Sequence, residues 1–125
     1  MSESQTYSPP LIGAIDLGTS STRFILFDAK GQEVCMHQVP LSSEFPEPGW
    51  VEQSPKEMLR TVNEAINGAL EKLRTLTMVV DNQPRSSDVE ITSIIKAVGI
   101  TNQRETTIVW DSETSEPLHN AIGES

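Results

Sequence analysis

The sequence predicts an α/β domain made of an antiparallel β-meander, one long helix and further strands, and three observations support this. The β-rich runs LIGAID, TRFILFD and EVCMHQVP follow one another across short turn-forming clusters, which is the spacing of a meander. One stretch, from Pro55 to about Leu76, carries apolar residues at helical spacing. Beyond it, IIKAVGI and TTIVWD return to β character.

Taken in order, residues 1–10 are polar, end in two prolines and show no periodicity, so they are expected to form a disordered leader. The first meander connection holds Gly18 among small hydroxyl residues. The second, Asp28 to Gln32, holds Gly31, which can supply a positive φ. Ser42 to Ser54 carries Pro46, Pro48 and Gly49 around Phe45 and Trp50, which predicts a structured loop with aromatic anchors rather than a helix or a central strand. Ser54-Pro55-Lys56-Glu57 then combines an N-cap serine, a proline at the first helical position and a glutamate three residues after the cap. Leu59, Val62, Ile66, Ala69, Leu70 and Leu73 form the predicted apolar stripe, which must pack on a sheet. Asp81 to Glu90 reads as a flexible surface loop. Ile94 to Ile100 and Thr106 to Asp111 read as strands bracketing the polar Thr101 to Glu105, and Ser112 to Pro117 reads as a turn.

Composition removes several function classes. The 125 residues include 18 acidic and 9 basic side chains, a formal charge of −9, which argues against a nucleic-acid partner. No apolar run extends beyond Leu11 to Ile15, and no basic residue precedes Arg23, so neither a membrane segment nor a targeting peptide is expected. Cys35 is the single cysteine; no internal disulfide or cysteine-based zinc site can form, and a reducing, cytoplasmic location fits.

Two segments have the residue types of a chemical site. In the first, Asp16 ends a nearly apolar strand, where an acid needs compensation by donors or by a cation such as hydrated magnesium. The turn that follows, Gly18-Thr19-Ser20-Ser21, offers successive N–H groups, close backbone approach and hydroxyl donors to a phosphate, and Arg23 adds a cationic fork. A hairpin turn capped by Asp16 accounts for the same spacing. In the second, Arg104-Glu105 sets guanidinium donors beside carboxylate acceptors, which suits a polyol; taken alone, such a doublet is ordinarily a solvated surface pair, and spacing does not make it a site. His37 and His119 have no nucleophile or second ligand at a meaningful spacing. Trp50 and Trp110 read as packing anchors, and Cys35 as a small core residue. Neither GxxxxGK[ST] nor GxGxxG occurs.

Together these strings resemble a known family. GAIDLGTSSTRFILFD is similar to the first phosphate motif of the actin-like ATPase superfamily, which unites actin, sugar kinases and heat-shock chaperones. Glu44-Phe45-Pro46, Pro48 to Pro55 (PGWVEQSP) and Gly99 to Thr107 (GITNQRETT) with Val109-Trp110-Asp111 resemble the N-terminal domain of the FGGY carbohydrate kinases, in the branch that phosphorylates glycerol. A chaperone-type ATPase would share IDLGTSS but not PGWVEQ or NQRET. The resemblance implies an incomplete ribonuclease-H-like N-terminal domain over 11–122, followed by a non-family tail at 123–125. It further implies ATP and Mg²⁺ as cofactors, and transfer of the γ-phosphoryl group to glycerol, giving glycerol 3-phosphate. In that scheme Asp16 organises the metal through water, Thr19, Ser20, Ser21 and Arg23 approach the nucleotide phosphates, and Arg104 and Glu105 hold glycerol.

The sequence departs from the family pattern in three places. Leu17 stands where glutamine is usual in that branch, Asp81 to Glu90 is longer than usual, and the chain stops soon after Pro117-Leu118-His119-Asn120-Ala121-Ile122. The resemblance therefore implies a truncated form that lacks the general base, the second phosphate loop and the closing domain, and so has no catalytic residue of its own. Its alternatives are a binding or regulatory fragment that pairs with itself or with a full-length kinase, or a fragment of another actin-like ATPase.

Overall fold

The computed structural model describes residues 5–85 and 90–123. The meander forms as expected: β2 (Leu11–Leu17), β3 (Ser21–Phe27) and β4 (Glu33–Pro40) pair antiparallel in sequence order. Gly31 takes φ +80° in the second connection, where Asp28 Oδ1 accepts from the N–H groups of Lys30 and Gln32 at 2.9 Å. The fourth strand of this sheet, β8 (Ile95–Asn102), lies on the other side of β2 and runs parallel to it, giving the order β4-β3-β2-β8.

Helix α1 (Pro55–Arg74) covers one face of the sheet, chiefly β3 and β4. Its start matches the sequence signal: Ser54 Oγ accepts from Glu57 N–H and Pro55 opens the first turn. On β3, Thr22, Phe24 and Leu26 alternate onto the helix and are buried, Phe24 and Leu26 in one cluster with Leu11, Ala65, Ala69 and Leu73. Gly13 lies beneath the Phe24 ring, so that a Cβ there would fall 2.6 Å from it, and glycine allows that approach. The buried stripe is Met58, Thr61, Ala65, Ala69 and Leu73, turned about one residue from the expected one, and Leu59 is 63% exposed. The turn follows from two anchors that apolar periodicity does not register. Met58 enters a second cluster with Leu41 and Ala121, and the Thr61 hydroxyl meets Thr22 at 2.8 Å.

Several other expectations are corrected. Thr6–Tyr7, within the expected leader, forms β1, which pairs parallel with β6 (Thr77–Val80), and Tyr7 packs against the core. Residues 1–4 of that leader lie outside the described residues. The expected loop at Asp81 to Glu90 begins as a hairpin: Asp81 and Asn82 take φ 52° and 62°, the geometry of a type I′ turn, and β7 (Gln83–Arg85) pairs with β6. Residues 86–89 lie outside the described residues. A one-turn helix, α2 (Ile91–Ile94), leads into β8.

Between Ser42 and Ser54, β5 (Val51–Gln53) pairs with β9 (Ala121–Gly123) and Glu44 bridges Glu52. Backbone pairing holds this segment, so Phe45 and Trp50 are not its anchors; they are 71% and 55% exposed. Thr106 to Asp111 makes only isolated bridges among the described residues, Thr107 to Ile122 and Trp110 to Pro117, rather than the expected strand. Trp110 is correspondingly exposed rather than packed. The Ser112 to Pro117 turn is present, with Asp111 Oδ1 accepting from the N–H groups of Glu113 and Thr114 at 2.9 Å. No described helix is long and apolar enough to cross a membrane.

Two predictions follow from these contacts. Thr61 has one hydroxyl proton and donates it to Met58 O at 2.7 Å, so Thr22 must be the donor in the Thr22–Thr61 pair. Thr61→Val strands that buried donor and is expected to cost about 1–3 kcal/mol, while Thr22→Val leaves Thr61 satisfied and costs less; urea unfolding of both and of the double variant measures the difference. At Asp111 the backbone N–H groups of Thr114 and Glu113 hold the carboxyl below its ordinary range. Because the folded value is the lower one, the turn's stabilisation is present above the ordinary aspartate range and is lost as pH falls through the lowered value. The Glu113 and Thr114 amide shifts should therefore titrate together below that range.

Candidate functional site

The parallel pairing of β8 on β2 sets Asp16 beside Thr101 and Leu17 beside Asn102, so the residues that follow both strands emerge at one end of the sheet. Two segments far apart in sequence, 18–21 and 103–106, are thereby brought together. This is where open α/β sheets build ligand sites, outside the carboxyl ends of their strands.

Asp16 and Arg23 are directly opposite in the β2–β3 ladder, on the sheet face away from α1. Arg23 Nε donates to Asp16 Oδ2 at 3.1 Å, and its Nη2 forms an ion pair with the same oxygen. Asp16 Oδ1 has no hydrogen-bond donor among the described residues. The Gly18-to-Ser21 turn closes through Gly18 N–H to Ser21 O at 2.9 Å and is tied to the next segment by Leu41 N–H to Ser20 O at 2.9 Å. Thr19 and Ser20 are exposed; Ser21 is half-buried, and its Oγ accepts from Gln38 Nε2 at 2.9 Å.

Two glutamines not anticipated from the sequence join the two segments. Gln103 Nε2 donates to Gly18 O at 2.7 Å and to Gln53 Oε1 at 2.6 Å, and its Oε1 accepts from Thr106 Oγ1 at 2.8 Å. Gln53 Nε2 donates to Thr19 O at 2.6 Å and to Ser43 Oγ at 3.0 Å. A small cavity of about 180 Å³ opens beside this network, lined by Thr19, Ser43, Gln53, Gln103, Arg104 and Thr106. Arg104 thus faces the same space as Thr19. Glu105 is exposed next to it, with φ 58° in the left-handed region.

The remaining candidates lie elsewhere. His37 packs on Gly68 of α1, and its Nδ1 is buried without a partner among the described residues. Cys35 is on the same strand, and burial pushes its thiol up, away from nucleophile chemistry. His119 lies in a different cavity, of about 460 Å³, with Trp50 and Glu52. Among the described residues no three histidine, cysteine or acidic side chains cluster as a metal site.

The model of the FGGY family of carbohydrate kinases, N-terminal domain, matches residues 11–124. A probable glycerol kinase of Dictyostelium discoideum is 52% identical over 113 residues, 90% of this chain and 19% of that protein. The crystal structure of a Plasmodium falciparum glycerol kinase with ADP superposes with a TM-score of 0.75 at 32% identity, covering 98% of this chain and 21% of that one. A xyloylose kinase from Brucella ovis gives a TM-score of 0.71 at 23% identity over 90% of this chain and 20% of its own, a likeness of fold alone. The chain therefore spans about a fifth of the length of the proteins it matches.

The Asp16–Arg23 pair is part-exposed, with side-chain exposures of 30% and 44%, so solvent screens it. Arg23→Gln should lower unfolding free energy by no more than about 1 kcal/mol in urea denaturation, a loss that shrinks further in added salt. A larger loss would make the pair a structural element.

Proposed function

The chain belongs to the FGGY family of carbohydrate kinases, and we propose that it is the N-terminal part of a glycerol kinase, over 11–122, contributing phosphate and polyol contacts to ATP-dependent formation of glycerol 3-phosphate. The observation that carries this reading is the meeting of the 18–21 turn and Arg104 around one cavity at the end of β2 and β8. On this reading Thr19, Ser20, Ser21 and Arg23 approach the nucleotide phosphates, and Arg104 and Glu105 hold the glycerol hydroxyls.

A magnesium ion fits Asp16 in the manner proposed. This ion keeps several waters and needs few protein carboxylates, and Asp16 has one oxygen without a donor among the described residues. When bound it would neutralise phosphate charge. The protein's share is positioning and charge stabilisation: hydroxyls and N–H groups of the turn orient the phosphates, while Arg104 donates to, and Glu105 accepts from, the polyol hydroxyls. Such a division needs two loops held at fixed separation, which the Gln53–Gln103 network supplies.

The 125-residue chain alone is expected to bind without turnover. Its matches cover only about a fifth of the related kinases, and a general base is worth roughly 10²–10⁴-fold in such reactions. Glycerol-dependent ADP release by a folded preparation should stay at background, while glycerol shifts the Arg104 and Glu105 amide signals and Mg–ATP shifts those of Thr19 to Arg23. Turnover would overturn the first expectation, and unshifted signals at saturating ligand would overturn the site. Stronger shifts with xylulose than with glycerol would move the substrate reading to another branch of the family.

A further inference from the structure

The Gln53–Gln103 pair uses every polar atom of both side-chain amides. All four amide N–H groups donate, to Gly18 O, Gln53 Oε1, Thr19 O and Ser43 Oγ, and both amide oxygens accept, from Thr106 Oγ1 and Gln103 Nε2. Neither amide can flip without setting its oxygen against a carbonyl oxygen, so the direction of the chain is fixed. Gln53 is 4% exposed and Gln103 half-buried, where leaving such groups unpaired is costly.

The two glutamines hold consecutive backbone carbonyls, those of Gly18 and Thr19. In a planar trans peptide the C=O of one residue and the N–H of the next point in opposite directions. Pinning Gly18 O and Thr19 O toward the glutamines therefore turns the N–H groups of Thr19 and Ser20 away from them. Both residues are exposed, and among the described residues neither N–H has a backbone acceptor. Successive free N–H groups aimed to one side form a concave anion-binding surface.

We infer that Gln53 and Gln103 are positioning residues: by fixing the Gly18 and Thr19 carbonyls, they preset the Thr19 and Ser20 N–H groups as donors to a phosphoryl oxygen. The phosphoryl part rests on the kinase reading above; the preset loop does not. Gln103 immediately precedes Arg104, so the same hydrogen bonds tie the phosphate donors to the polyol contact. Rigidity in one loop is transmitted to the other through a single side chain.

Backbone ¹⁵N relaxation on the 125-residue chain tests this, using Gln53→Met, Gln103→Met and Gln103→Glu. Methionine keeps the bulk of the side chain, and ionised glutamate keeps its shape and the acceptor for Thr106, but neither can donate, so the glutamate variant is measured at a pH where the carboxyl is ionised. In the original chain the Thr19 and Ser20 order parameters should be those of rigid backbone, about 0.85, and should fall below about 0.6 in all three variants while β3 and α1 are unchanged. A role in packing alone would leave the loop rigid in the Met and Glu variants, and that result overturns the inference. If Gln53→Met unfolds, the two Gln103 variants decide. Mg–ADP separates the two layers: no shift at Thr19 or Ser20 in the original chain overturns the phosphate reading, whereas the relaxation result stands without any ligand.

Discussion

The candidate site depends on the parallel pairing of β8 with β2. An antiparallel partner on that edge would send its C-terminal end to the opposite side of the sheet and carry Gln103, Arg104 and Glu105 with it. Register matters as much as direction. With Asp16 beside Thr101, the first residues past each strand are neighbours, and the amide of Gln103 reaches Gly18 O without intervening structure. The meander alone would give the Gly18-to-Ser21 turn its own closing hydrogen bond and those from Gln38 and Leu41, with no partner for the Gly18 carbonyl. A second strand end turns a hairpin tip into one wall of a cavity.

That arrangement requires a rigid base, which is the packing of α1 on the sheet. β3 is the central link: its Thr22, Phe24 and Leu26 face the helix, while Arg23, on the opposite face, meets Asp16. The period of two in a strand thus divides one segment between core and site. Slipping β3 by one residue would bury Arg23 under α1 and expose Phe24, so the hydrophobic burial that stabilises the fold also fixes the register of Asp16 and Arg23.

Where sequence signals were local, they were legible. The meander, Gly31, the Ser54-Pro55 helix start and the turn after Asp111 each depend on residues a few positions apart, and each formed. Long-range partners were not legible. Thr6-Tyr7 is ordered by Thr77-Met78, and Val51 to Gln53 by Ala121 to Gly123, pairings without a local trace. The buried stripe of α1 turned because Thr61, polar by type, is buried by its bond to Thr22. In the hairpin at Asp81-Asn82, two residues tolerant of the left-handed region do carry a signal, but the polar run after them masked it. At the candidate site, Asp16, the hydroxyl turn and Arg104-Glu105 were picked out by residue type, while Gln53 and Gln103 were not, since a glutamine acquires meaning only from the carbonyls it meets.

Glu105 shows how the network and the site constrain one another. A non-glycine residue at φ 58° sits in a region that costs an L-residue about 1–2 kcal/mol, so neighbouring contacts must hold it there. On its N-terminal side Gln103 is fixed to Gly18 and Gln53; on its C-terminal side Thr106 donates to Gln103 Oε1, and Thr107 exchanges two backbone hydrogen bonds with Ile122 at 3.0 Å. The backbone reverses between these fixed points within two residues, Arg104 and Glu105. Both side chains are left exposed at a corner whose ends cannot move apart. Strain at Glu105 and full satisfaction at Gln103 are thus two aspects of one construction, in which the amides of Gln53 and Gln103 hold the backbone from which an exposed guanidinium and carboxylate project.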